Sequence, residues 1–110
     1  MATTFTNAFA NDVSHSSAVT LYTAPSATES VVMGMYLCNK TSNAVDVTVG
    51  VKDGSNSNTE TKVLNQVSIP AKTTLSIGKE KITLLATDAI TVLSGTASAI
   101  DASVSVMEKT

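Results

Sequence analysis

A chain of 110 residues has the length of one domain, long enough to bury a core without disulfide or metal staples. Aromatic residues make up 4% and tryptophan is absent, so that core must be aliphatic. The net charge is −2, all seven basic residues are lysine, and there is no basic run. Without arginine for bidentate phosphate and base contacts, nucleic-acid binding is excluded as a working reading.

The segment 1–17 stands apart. It carries both phenylalanines, Phe5 and Phe9, with Val13 four residues further on. This spacing would place all three on one face of a short helix, although Thr, Asn and Ser disfavour helix interiors. The segment reads as an N-terminal arm, with one helical turn at most. Either Phe5 or Phe9 plugs the end of the domain's own core, or the arm docks on a neighbouring subunit, since aromatics are enriched at interfaces. Phe5, Phe9 and Val13 are the candidate assembly contacts.

The β-sandwich domain is expected over 18–110. Residues 18–23 alternate Val19 and Leu21 against Thr20 and Tyr22, and Pro25 breaks the run. Residues 29–39 read as a central strand with Val31, Met33, Met35 and Leu37 on one face and Val32, Gly34, Tyr36 and Cys38 on the other. A polar turn at 39–43 then leads to Val45, Val47, Val49 and Val51, which alternate with Asp46, Thr48, Gly50 and Lys52. That period-two ladder is a half-buried strand, and it is expected to form a β-hairpin with the strand before it. Residues 53–58, Asp-Gly-Ser-Asn-Ser-Asn, form an exposed loop tip. Further short strands are expected at 63–69, 73–77, 82–85, 89–93 and 100–108, with a turn at Gly78-Lys79-Glu80. In the last strand Ile100, Ala102, Val104 and Val106 point inward. About seven or eight short strands with turns every 8 to 12 residues predict an all-β fold, a single antiparallel β-sandwich of immunoglobulin-like or jelly-roll-like kind.

Reactive chemistry is sparse. His15 lies among serines in a linker and no nucleophile motif accompanies it. One cysteine, Cys38, and one histidine cannot build a structural zinc site or an internal disulfide. Cys38 reads as a small hydrophobe in the core or under a loop. The 53–58 loop lacks the alternating acids and distal Glu of a calcium-binding EF-hand. Asp88 reads as a turn-stabilising side chain. Asn39-Lys40-Thr41 matches a glycosylation sequon, but nothing resembles a secretion signal. Sugar-stacking platforms are few. No cofactor, catalytic residue or metal ligand is assigned. No segment is a membrane span, and the expectation is a soluble protein made in a cytoplasm.

Four segments carry a resemblance: Thr20-Leu21-Tyr22-Thr23-Ala24-Pro25, Val32-Met33-Gly34-Met35-Tyr36-Leu37-Cys38-Asn39, Val67-Ser68-Ile69-Pro70-Ala71 leading to Thr74-Leu75, and Leu84-Leu85-Ala86-Thr87-Asp88-Ala89-Ile90-Thr91-Val92 leading to Asp101-Ala102-Ser103-Val104-Ser105-Val106-Met107-Glu108. Over about residues 18–110 the chain resembles small β-sandwich structural proteins of tailed bacteriophages, many of which have Gly at the position of Thr87. The resemblance implies a non-enzymatic virion component, a capsid decoration (cement), neck or tail-associated protein, made in the host cytoplasm and assembled in multiple copies. Its expected partners are other virion proteins and itself, as a homo-oligomer. The alternative is a ligand- or cell-surface-binding module that uses the 53–58 loop.

Overall fold

In a computed structural model, described for residues 3–77 and 81–110, the chain is a sandwich of two antiparallel sheets. The turn expected at Gly78-Lys79-Glu80 lies outside the described residues. Among the described residues nine strands follow in order: β1 Thr3–Ala10, β2 Val19–Thr23, β3 Glu29–Asn39, β4 Val45–Asp53, β5 Thr59–Ile69, β6 Thr74–Ile77, β7 Ile82–Leu84, β8 Ala89–Ser94 and β9 Ile100–Lys109. The first sheet runs β1-β9-β3-β6, with β7 also pairing β3, and the second runs β2-β8-β4-β5. The pairs are nested: β1 with β9, β2 with β8, β3 with β6 and β7, β4 with β5. A chain doubled back on itself and then rolled into two sheets is a jelly roll, which decides between the two sandwich kinds expected.

The valine ladder lies where its alternation predicts. Val45, Val47 and Val49 are buried, while Asp46 is exposed. Ile100, Ala102, Val104 and Val106 of β9 face the ladder's side of the core, joined by Met35, Leu37, Ile69, Leu84, Ile90 and Val92. Among the described residues no aromatic side chain is fully buried; Tyr22 packs against this cluster from its margin.

Three sequence expectations are corrected. The N-terminal segment is a strand, not a helical turn, because β1 completes the edge of β9 with an unbroken register from Thr3↔Lys109 to Ala10↔Ala102. The β3 phase slips at Met33, where β9 pairs Val106 with Val32 and Ser105 with Gly34, leaving Met33 as the extra residue of a bulge. Ser30 and Val32 therefore face inward before the bulge and Met35, Leu37 and Asn39 after it. Finally, β3 and β4 do not form a hairpin: they belong to opposite sheets.

Asn39 is the reason for the third difference. Its side chain is fully buried. Nδ2 donates to the carbonyls of Asn43 at 2.8 Å, Ile69 at 3.0 Å and Pro70 at 3.2 Å. Oδ1 accepts from Thr41 N at 2.9 Å and Thr41 Oγ1 at 2.7 Å. One amide thus folds the 40–44 turn and carries the chain over the sandwich edge, next to the end of β5. The same commitment leaves no free amide for a sugar at the sequon.

The paired hairpin is instead β4–β5, closed by the polar loop. Asp53 Oδ1 accepts from Ser55 N at 3.1 Å and Ser55 Oγ at 2.7 Å, and the Asp53 carbonyl accepts from Asn58 N at 2.9 Å. Ser57 and Asn58 both take left-handed backbone at the end of this loop, a conformation that asparagine tolerates better than most residues. Asp88 locks the neighbouring turn, its carboxylate accepting from Gly54 N at 3.0 Å and Leu85 N at 3.1 Å. Thr87 sits there at φ 70°, a conformation natural to glycine and costly for a β-branched residue. A side chain at Gly54 would meet the Thr87 carbonyl oxygen at 2.5 Å, so these two turns interlock.

Candidate functional site

The outward face of the first sheet is where the unusual residues gather. Pairing places Phe5 beside Met107 and Val31, Asn7 beside Ser105 and Gly34, and Phe9 beside Ser103 and Tyr36. The outer row of β9 carries Ser103 and Ser105 at its middle, so beside Phe9 and Tyr36 the aromatic side chains stand as walls over a low polar floor. Phe5 is 74% exposed, Phe9 68%, Tyr36 52% and bulged Met33 39%. Two shallow grooves result. One lies between Phe9 and Tyr36 and reaches Cys38 and Asp101, with a volume of about 560 Å³. The other lies between Phe5 and Met33.

Neither phenylalanine plugs the core, and the three candidate contacts are not one face. Phe5 and Phe9 project outward together because a strand repeats every two residues. Val13 is 2% exposed, packed in the core beyond the end of β1, its N–H donating to the Ile100 carbonyl at 2.8 Å. It therefore anchors the segment that follows β1 and cannot touch a partner without unfolding. Tyr36, Met33 and Cys38 join the surface instead. Cys38 is half-buried on this outer face, not in the core, as the phase slip dictates.

A cluster of charged side chains lies at one end of the face. The backbone N–H of Asp12 donates to Asp101 Oδ1 at 3.0 Å, and Lys40 Nζ pairs with the same carboxylate at 3.0 Å and with that of Asp12. The Asp12 N–H, then the lysine, hold the Asp101 carboxyl below its ordinary value. The two carboxylates in turn raise Lys40. A depressed folded value means that Asp101 contributes stability above the unfolded value of about 3.9 and loses it as the pH falls through the lower folded one. Acid should therefore lower the melting midpoint in that window. Lys40→Met should make the decline shallower, as thermal melts across the acid range would register.

A second tie closes the sandwich. The Tyr22 hydroxyl donates to Glu108 Oε2 and lies 2.9 Å from Ser30 Oγ, joining β2 to β3 and β9. Burial, then the hydrogen bond to Glu108, raises the phenol above its ordinary value. Elsewhere, His15 is exposed, and no group of three metal-ligating side chains occurs among the described residues.

Comparison with known proteins adds the following. No protein-family model matches the sequence, and no curated protein matches it. Solved structures do match in shape. A chain of the acidic stable capsid of Helicobacter pylori bacteriophage KHP30 is 14% identical with a TM-score of 0.59, over 98% of this chain and 87% of that one. A chain of the Bacillus endospore appendages, described as disulfide-linked pili, is 19% identical with a TM-score of 0.55, over 96% and 85%. A chain of the cyanophage Pam1 capsid asymmetric unit is 12% identical with a TM-score of 0.50, over 96% and 83%. At these identities the likeness is one of fold, and it spans nearly the whole chain.

Proposed function

We propose that this chain is a non-enzymatic structural protein of a bacteriophage virion, assembled in multiple copies on the capsid as a decoration (cement) protein or at the neck or tail. The observation that carries the reading is the aromatic outer face of the first sheet. Both phenylalanines of the chain are spent on solvent while the core is built of aliphatic residues. A monomer gains nothing from that arrangement, whereas exposed aromatics clustered on one face mark a contact surface. The shared fold of phage capsid and pilus subunits supports it, as does a low net charge that allows dense packing with little like-charge repulsion.

The test is incorporation. Purified particles should contain the chain in fixed stoichiometry. A Phe5→Ser, Phe9→Ser double variant should keep the circular dichroism of the folded chain, since both side chains are exposed, yet be lost from particles. Full incorporation of that variant would remove the aromatic face from the interface, and absence of the natural chain from particles would end the virion reading.

A further inference from the structure

We propose that the edge of β1 left unpaired among the described residues pairs antiparallel with β1 of a second copy, joining two first sheets into one continuous sheet across a two-fold axis at Asn7. The inference deepens the multi-copy reading above and rests on it for biological setting only.

It starts from how the sheet edges are guarded. An exposed edge offers unpaired N–H and C=O groups, and proteins blunt such edges with charge, proline, bulges or shortness. Here β6 and β7 are short, of 4 and 3 residues. β2 has 5 residues and a bulge. β5 is long, but it carries Glu60 and Lys62, its pairing with β4 is twice irregular, and Gln66 breaks it with a left-handed backbone. β1 has none of these. Its 8 residues, Thr-Thr-Phe-Thr-Asn-Ala-Phe-Ala, include no charge, glycine or proline and pair β9 without irregularity.

An unguarded strand could accept many strands, but the other edges of a second copy are blunted, so its complement within the chain is β1 itself. Register then follows from geometry. Residues opposite each other in antiparallel strands share a face, so a two-fold axis must pass through a residue, not between two. Centred on Asn7, the axis sets Phe5 of one copy against Phe9 of the other, twice, with the two Asn7 amides opposed between them. Aromatic cross-strand pairs stabilise a sheet, and Thr4, Thr6, Ala8 and Ala10 place only small side chains on the inward side. No like charges meet. The contact is self-complementary and closes at two copies.

The experiment uses the full chain in a Cys38→Ser background. Opposed residues in paired antiparallel strands have Cα atoms about 4.5–5.5 Å apart, within the Cα range of a disulfide. Asn7→Cys should give a covalent dimer on mild oxidation. Phe5→Cys alone should stay monomeric, whereas mixed Phe5→Cys and Phe9→Cys chains should link. In sedimentation, Phe5→Lys with Phe9→Lys should abolish the dimer, and Phe5→Lys with Phe9→Glu should restore it, with unchanged circular dichroism in both. An Asn7→Cys protein that does not link, or Phe5→Cys linking to itself as readily, overturns the proposal. Linking without presence in particles would sink the virion reading alone, and presence in particles without linking would sink this one alone.

Discussion

Val49→Asp is expected to leave the chain largely unfolded at room temperature, whereas Thr48→Asp, one residue away, is expected to fold. Val49 is fully buried between the sheets, and no basic group belongs to the core cluster around it. A carboxylate there loses its hydration and finds no partner, a cost on the order of 5 kcal/mol, comparable to the whole stability of a small domain. Thr48 points outward, and its Oγ1 accepts from Gln66 N at 3.1 Å. A carboxylate oxygen can accept the same bond, so the change should cost about 1 kcal/mol or less. Urea unfolding of the two variants reads the difference directly, and equal midpoints would refute the alternation of β4.

Asn39→Asp is the second large effect, and it is nearly isosteric. The amide's donors reach three carbonyl oxygens. Replacing the nitrogen by a carboxylate oxygen removes both N–H donors and sets an anionic oxygen against three carbonyl oxygens in a buried site, at a cost of about 3 kcal/mol or more. The sign with pH is opposite to that of Asp101. A carboxyl in this setting binds its proton more tightly folded than unfolded. The charge-dependent part of the penalty is therefore full above the raised folded value, shrinks as the pH falls, and is gone below the unfolded value of about 3.9, leaving the smaller cost of one lost donor. Thermal melts should show the variant far below the natural protein at neutrality and closing on it in acid. A constant gap across that range would mean that the loss is one of shape, not of charge.

What could be read in the sequence, and what could not, divides along one physical line. Where one face of a strand is apolar and the other polar, alternation carries a phase, so the valine ladder and the inward row Ile100, Ala102, Val104 and Val106 were legible. β3 is apolar on both faces, so Val31, Met33 and Met35 give no sign that the register slips at Met33. β1 shows i, i+4 spacing that a helix and a strand satisfy equally, because four is a multiple of two. The Thr, Asn and Ser content was the stronger signal there. Pairing partners lay beyond local pattern: a polar turn after Asn39 is compatible with a hairpin and with a crossing between sheets, and a buried amide reaching Ile69 and Pro70 decides it. The surface was half legible. Phe5 and Phe9 stood out as apolar residues in a polar segment, whereas Tyr36, which flanks Phe9 across β9, required the fold.

The buried amide of Asn39 is also shielded from chemical decay. Asparagine decays when the next residue's backbone nitrogen attacks the side-chain carbonyl carbon and expels ammonia. Here that nitrogen, of Lys40, donates to the Ala99 carbonyl at 2.9 Å, while the Asn39 amide is held on both of its polar atoms. The attack cannot begin until the turn opens. Decay at this position is therefore gated by unfolding, and the deamidated chain, with a carboxylate in place of the amide, would refold poorly. At Asn39, chemical lifetime and the fold of the turn rest on the same few hydrogen bonds.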